Sequence, residues 1–261
     1  MWDGQHLVLE KMEDMAKRNK AMLVMVVKAR QLGLSTFGCL LSLWRTAFFQ
    51  NSNALIVSED EDQSSNLFNT YLSPSYRQLP WFIKPRNSSF AFDAGIKFDV
   101  PKKEQGVGLK SNVRIQWASR KGGLGTGYRL NAVHGSEWTS WDDLGKVLET
   151  ELKYAIVKHP STVGLLESTA RGAGTESHDI YRKYDELAER SEWETIFLPY
   201  FFEKTRVLAP PTGWVVGADE KKYQEVVYDN WVRCDNRSCL RYFARSLKRG
   251  IDEGSTCSRC G

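Results

Sequence analysis

Lys28, Arg30, Gly33, Ser35 and Thr36 fall within nine positions, Lys28-Ala29-Arg30-Gln31-Leu32-Gly33-Leu34-Ser35-Thr36. Two cations, a glycine and two hydroxyls at this spacing can cradle phosphate. Ahead of them Met22-Leu23-Val24-Met25-Val26-Val27 is uninterrupted apolar sequence, which reads as a buried parallel strand. Behind them Phe37 to Arg45 reads as a helix. Strand, tight glycine turn and Ser-Thr helix start together form a phosphate loop, in which backbone N–H groups at the helix N-terminus face the anion. The Ser35 hydroxyl then falls where a Mg²⁺ ligand is expected.

The match to the pattern G-x-x-x-x-G-K-[ST] is partial. Gly33 and Ser35 fit, but Lys28 stands at the first glycine position and Leu34 at the lysine position. Arg30 and Lys28, just upstream, can supply the missing charge.

Two further strand ends carry candidate chemistry. Leu130 to Trp138 ends in Ser136-Glu137, where phosphate-loop NTPases carry Asp-Glu. Glu137 is placed to act as general base, and Ser136 is a neutral residue able to hold the Mg²⁺ water shell only by hydrogen bonding. His134 reads either as a packed strand histidine or as a catalytic one. Ser161 to Ala170 ends in Ser168-Thr169, polar residues at a strand tip that can report the γ-phosphate. Between the loop and these strands, Arg120 to Arg129 holds four glycines framed by basic residues, either a solvated turn or a loop that touches phosphate.

These motifs resemble the large terminase subunit of tailed phages, the viral DNA-packaging ATPase. The likeness rests on Arg30-Gln31-x-Gly33-x-Ser35-Thr36, on His134-x-Ser136-Glu137-Trp138 with Trp141, on Ser168-Thr169 in third place, and on the aromatic strand Glu194 to Phe202. It implies a three-layer, RecA-like ATPase fold with a mostly parallel sheet, binding ATP and Mg²⁺. It gives Arg30 a part in phosphate chemistry and Ser168 and Thr169 a coupling role. It makes Gln5 a loose match to an adenine-reading glutamine, with an ordinary surface glutamine as the other reading. It suggests that Arg129, or else Arg120, reaches a neighbouring subunit's nucleotide. The implied partners are double-stranded DNA, a portal protein, a small terminase subunit and further copies of the chain in a ring. The implied location is the host cytoplasm, at the procapsid portal.

Other elements must position these groups. Residues 5–19 read as an amphipathic helix with Leu7, Leu9, Met12 and Met15 inward, and Gln5 before it. Asn53 to Ser58 is a second buried strand. Glu59-Asp60-Glu61-Asp62 starts a helix over 63–76, where carboxylates suit the positive dipole end. Residues 90–92 and 96–100 alternate as a hairpin, 112–118 form a strand, and 175–191 form a helix with Ile180, Tyr184 and Leu187 on one face.

The 261 residues allow one large α/β domain with an appendage, read here as 1–205 and 206–261. Hydrophobic content of 41% supports a sizeable core, and a net charge of +4 is weak support for a polyanionic partner. No apolar run is long enough to span a membrane, and Met1-Trp2-Asp3-Gly4 lacks a signal pattern. Cys234, Cys239, Cys257 and Cys260, the last two as Cys-x-x-Cys-Gly, suit a four-thiolate Zn²⁺ ribbon or knuckle among arginines that can touch DNA. The 59 residues after Phe202 are too few for the nuclease domain of the family, so DNA cutting is not expected of this chain. The rival readings are another nucleic-acid translocase such as a helicase, and a non-hydrolysing zinc DNA-binding protein.

Overall fold

The computed structural model describes residues 2–101, 106–119, 123–125 and 127–199, together with the backbone of 231–233 and 242–244. The chain divides into two compact units, Met1–Glu203 and Lys204–Gly261.

The first unit is built on an eight-stranded sheet of order β3-β4-β5-β2-β6-β7-β1-β8. Its strands are β1 (Met22–Lys28), β2 (Asn53–Ser58), β3 (Ser89–Ala91), β4 (Gly95–Phe98), β5 (Ser111–Trp117), β6 (Ala132–Ser136), β7 (Val163–Ser168) and β8 (Glu194–Leu198). The six from β5 to β8 run parallel, and the β3–β4 hairpin adds antiparallel at one edge. Parallel central strands are covered on both faces, so their sequences run apolar without alternation. The interior of β1 does so, with Leu23 to Val27 all buried.

Two apolar clusters occupy the two faces. One joins Met25, Val57, Val133, Trp138, Leu148, Leu152, Leu166 and Tyr184; the other joins Leu43, Ile56, Leu72, Phe98, Val113 and Ala132. Alternate residues of β2 enter opposite clusters, Leu55 and Val57 on one side and Ala54 and Ile56 on the other, which makes three layers.

The helices are α1 (Asp3–Lys17), α2 (Leu34–Ala47), α3 (Glu61–Asn66), α4 (Ser73–Arg77), α5 (Leu144–Lys146), α6 (Lys153–Ala155) and α7 (Glu176–Leu187). A π turn, Leu67–Leu72, joins α3 to α4, and another, Val147–Leu152, joins α5 to α6. Asp60 caps α3 by accepting from the Gln63 N–H, so the acidic run starts that helix as its charge suggests. The inner face of α1 is Gly4, Val8, Met12 and Met15, while Leu7 and Leu9 are half-buried. Spacing of four, four and three keeps those residues on one stripe, and Leu7 and Leu9 straddle it. In α7, Tyr184 is buried and Ile180 packs on the core, but Leu187 at the helix end is exposed.

Glu194 fastens α1 to the sheet. Its carboxylate is 1% exposed and lies 2.8–2.9 Å from Lys11, Arg18 and Lys20. Of the second unit, the described part is an antiparallel pair, β9 (Trp231–Arg233) with β10 (Tyr242–Ala244), which brackets Cys234 and Cys239 in sequence. The four cysteines of the expected zinc cluster lie outside the described residues. Among the described residues no helix is long and apolar enough to cross a membrane.

Candidate phosphate site at the carboxyl ends of β1, β7 and β6

In the sheet order, β7 lies between β1, which leads into the candidate phosphate loop, and β6, which ends in Ser136 with Glu137 next. The registers Val26↔Glu167, Val27↔Ser168 and Ser136↔Glu167 align the three strand ends. Residues far apart in sequence therefore converge at one edge of the sheet, where open α/β folds place their ligands.

The loop turns through two left-handed residues, Gln31 at φ 61° and Gly33 at φ 66°. Glycine enters that region at no steric cost. Gly33 is the N-cap of α2, and the first intrahelical bond runs from the Phe37 N–H to the Gly33 carbonyl at 3.1 Å. The N–H groups of Leu34, Ser35 and Thr36 thus belong to the unbonded first turn of a fourteen-residue helix. The Leu34 side chain is 1% exposed and turned into the core, so only its backbone can serve an anion. Arg30 and Gln31 are exposed at the rim, and Arg30 forms no ion pair among the described residues.

Gln5 lies inside the first turn of α1 rather than before the helix. Its Nε2 donates to the Gly33 carbonyl at 2.9 Å and its Oε1 accepts from the Trp2 N–H at 3.1 Å. The amide therefore splints the phosphate loop to α1.

Lys28 is buried at the end of β1 and faces two carboxylates, with Nζ 3.0 Å from Glu167 Oε2 and 3.8 Å from Glu137 Oε1. Its charge is spent inside the protein, while that of Arg30 is open to solvent. Glu137 itself sits at φ 50°, where β6 ends and a short 3₁₀ turn begins. Its Oε2 accepts from Ser168 Oγ at 3.0 Å and from the N–H and Oγ1 of Thr169, both at 3.3 Å. Thr139 Oγ1 adds a contact of 2.7 Å to Ser168 Oγ. Behind this turn Trp138 Nε1 donates to the Val26 carbonyl and Trp141 Nε1 to the Ser136 carbonyl. The two tryptophans, 0% and 5% exposed, wedge the end of β6 against β1.

Glu167 is the residue that sequence reasoning passed over. It is 0% exposed, and its Oε1 accepts from Ser35 Oγ at 2.8 Å and from Ser136 Oγ at 2.9 Å. Burial pushes its carboxyl up, but the His134 ring, the Lys28 ammonium and the Ser35 hydroxyl outweigh burial and hold it below the usual carboxylate range. The signal in the sequence was a charged residue ending the apolar run Val163-Gly164-Leu165-Leu166, where a buried ion needs a partner.

His134 is 0% exposed, with Nε2 3.6 Å from Glu167 Oε1 and Nδ1 3.8 Å from Cys39 Sγ. Its ring lies flush on α2, where a Cβ added at Gly38 would come within 2.3 Å of it. That is the packed position of its two readings. Beside the site Arg171 reaches Ser140 and lies 3.8 Å from Glu59, lining a cleft of about 380 Å³ with Trp141 and Glu176.

Arg129 is not brought to this site. It precedes β6, and its carbonyl accepts from Asn53 Nδ2 at the start of β2, the opposite edge of the sheet. At ~3.3 Å per strand residue that is on the order of 20 Å from Glu137. Arg120 lies outside the described residues.

The fold matches that of solved large terminases. The HK97 bacteriophage large terminase aligns with 84% of this chain and 42% of its own, at a TM-score of 0.55 and 11% identity. A large terminase from a thermophilic bacteriophage, solved in complex with ADP, aligns with 86% of this chain and 50% of its own, at a TM-score of 0.56 and 9% identity. This chain shares their fold. It spans about half the length of the thermophilic-phage chain and less of the HK97 chain. No protein-family model matches the sequence, and no curated protein matches it. The likeness therefore lies in the order of elements, and the chemistry has to be argued from this chain's own residues.

Proposed function

We propose that this chain is the ATP-hydrolysing motor portion of a terminase large subunit, which drives double-stranded DNA into a procapsid. One observation carries the reading. Glu137, the candidate base, is hydrogen-bonded to Ser168, at the end of the strand that separates it from the phosphate loop, and to Thr169 just after it.

The first-turn N–H groups of α2 receive the phosphates, and Arg30 closes over them from the rim with a planar fork of donors. Ser35 and Ser136 point their hydroxyls into the same corner, and the two carboxylates there outnumber the single lysine. A divalent cation fits that residual negative charge and hydroxyl set. Mg²⁺ supplies neutralisation of the phosphate oxygens, usually keeping several waters and few protein ligands. Accordingly, among the described residues no three His, Cys, Asp or Glu side chains are grouped to hold a metal by themselves. Glu137 orients and deprotonates the attacking water. Ser168 and Thr169, bonded to it, link the state of the γ-phosphate to the position of the base.

That a thermophilic-phage terminase of this fold is solved in complex with ADP supports nucleotide binding by this chain. By the same family likeness the partners are DNA, a portal protein, a small terminase subunit and further copies of the chain in a ring within the host cytoplasm. In that ring Arg129, far from its own chain's site, serves a neighbour's. The cysteine spacing supports a Zn²⁺ lobe in the second unit.

The test is DNA-stimulated ATP hydrolysis by the purified chain. Turnover that rises with double-stranded DNA and requires Glu137 supports the motor. Nucleotide binding without turnover would instead favour the non-hydrolysing DNA-binding reading, to which the buried Leu34 and the neutral Ser136 already lend weight.

A further inference from the structure

Resting on that reading, we propose that Glu167 supplies the carboxylate that organises the Mg²⁺ site, from the neighbouring strand, in place of an acidic residue at Ser136. In a phosphate-loop site an aspartate at the end of the second-motif strand brings negative charge to the metal. Here that position is Ser136, which has none. Directly across the ladder, in register, stands Glu167.

Three features give Glu167 more than a packing role. Its Oε1 accepts both candidate metal-side hydroxyls, Ser35 at 2.8 Å and Ser136 at 2.9 Å. A hydroxyl that holds a cation, or a cation's water, does so through an oxygen lone pair, so its proton must go elsewhere. Glu167 accepts both O–H hydrogen bonds at one atom and leaves both hydroxyl oxygens' lone pairs for the metal side. Its Oε2 is buried with no hydrogen-bond partner among the described residues, and only the Lys28 ammonium faces it, at 3.0 Å. Finally, β7 is the strand between β1 and β6, so the carboxylate is held from both sides by the two strands whose ends it serves. Glu167 is thus a positioning residue. It acts through Ser35 and Ser136 and adds an anion one layer from the cation.

The rival account is a buried counter-ion for Lys28 alone. The two separate by metal dependence. The affinity of a fluorescent ADP analogue is measured with Mg²⁺ and with EDTA, alongside the melting temperature, for the parent, Glu167→Gln, Glu167→Gln with Ser136→Asp, and Glu167→Gln with Lys28→Met. The last variant removes the unpaired lysine if the single change will not fold. The expected result is a parent whose binding is tightened by Mg²⁺, and a Glu167→Gln protein in which that tightening falls at least tenfold while binding in EDTA is unchanged. Adding Ser136→Asp should restore the tightening by returning a carboxylate to the other strand. The Lys28→Met pair, which is charge-balanced, should remain deficient. Full Mg²⁺ dependence in a folded Glu167→Gln or Lys28→Met pair overturns the proposal. So does a Ser136→Asp variant that regains melting temperature without regaining Mg²⁺ dependence. A parent that binds no nucleotide under any condition overturns the functional reading instead, and this inference with it.

Discussion

The hydroxyl of Ser168 lies 3.0 Å from Glu137 Oε2, joining the tips of two adjacent strands. With Thr169 donating twice to the same oxygen, the carboxylate is oriented by three donors from β7 and the residue after it. A carboxylate so held is fixed in orientation at the strand tip. Replacing Glu137 with Gln keeps the shape and removes the proposed base. ATP turnover should fall on the order of 10² or more, with nucleotide affinity retained. Ser168→Ala removes one donor of three and should change turnover by less than about tenfold. Steady-state hydrolysis and ADP-analogue binding check both, and parental turnover in Glu137→Gln would remove it from the mechanism.

Arg30 and Lys28 are two residues apart in sequence but do different work. Arg30 is exposed and forms no ion pair among the described residues, whereas Lys28 lies buried between Glu137 and Glu167. Arg30→Ala should weaken nucleotide binding about tenfold or more without shifting the melting temperature, since it removes only an exposed side chain proposed to clamp phosphate. Lys28→Ala strands a buried carboxylate and should cost about 3 kcal/mol of stability. Thermal melts beside binding curves separate the effects. A stable Lys28→Ala protein with lost binding would mean that Lys28 turns out to the phosphates.

What the sequence made legible was whatever depends on local pattern. The apolar runs at Met22 and Asn53 gave β1 and β2, and the acidic run at Glu59 gave the start of α3. Strand ends bearing Ser136-Glu137 and Ser168-Thr169 were visible because a polar residue ending an apolar run marks the edge of a sheet. What was not legible depends on strand order. Glu167 matters because β7 falls between β1 and β6, and nothing in residues 161–170 states that placement. For the same reason Lys28 looked like a loop cation until its neighbours were known. Arg129, expected to reach a neighbouring subunit's nucleotide, stands eight residues before Glu137 along an extended segment, so the two end at opposite edges of the sheet.

The cysteines of the second unit make a compositional prediction. Cys234, Cys239, Cys257 and Cys260 crowd four thiols into 27 residues beside polar, Gly-containing sequence that has little apolar surface to bury. Thiolate coordination would supply the folding free energy that such a segment lacks. Elemental analysis after metal-replete expression should find one Zn²⁺ per chain. A chelator should alter this unit while leaving thermal unfolding of the first unit unchanged. Zinc near zero would leave these as free thiols.

Glu194 should contribute to the acid limit of the first unit. Burial raises its carboxyl, but hydrogen bonds from Arg18, Lys11 and Lys20 more than reverse this and lower it to about 2, against an ordinary value of 4.5. A folded-state value below the unfolded one means that stability is present above the unfolded value and is lost as the proton binds. The loss should therefore run from about pH 4.5 down to about pH 2. Protonation would release Lys11, Arg18 and Lys20 together and so detach α1, which carries Gln5 and its hold on the Gly33 carbonyl. Glu194→Gln should lower stability at neutral pH by about 2 kcal/mol, less than a fully buried pair because the three cations remain partly solvated. It should also flatten the pH dependence across that window. Melting temperatures from pH 7 to pH 3 for the parent and the variant decide it, and parallel curves would show that another carboxylate governs the acid transition.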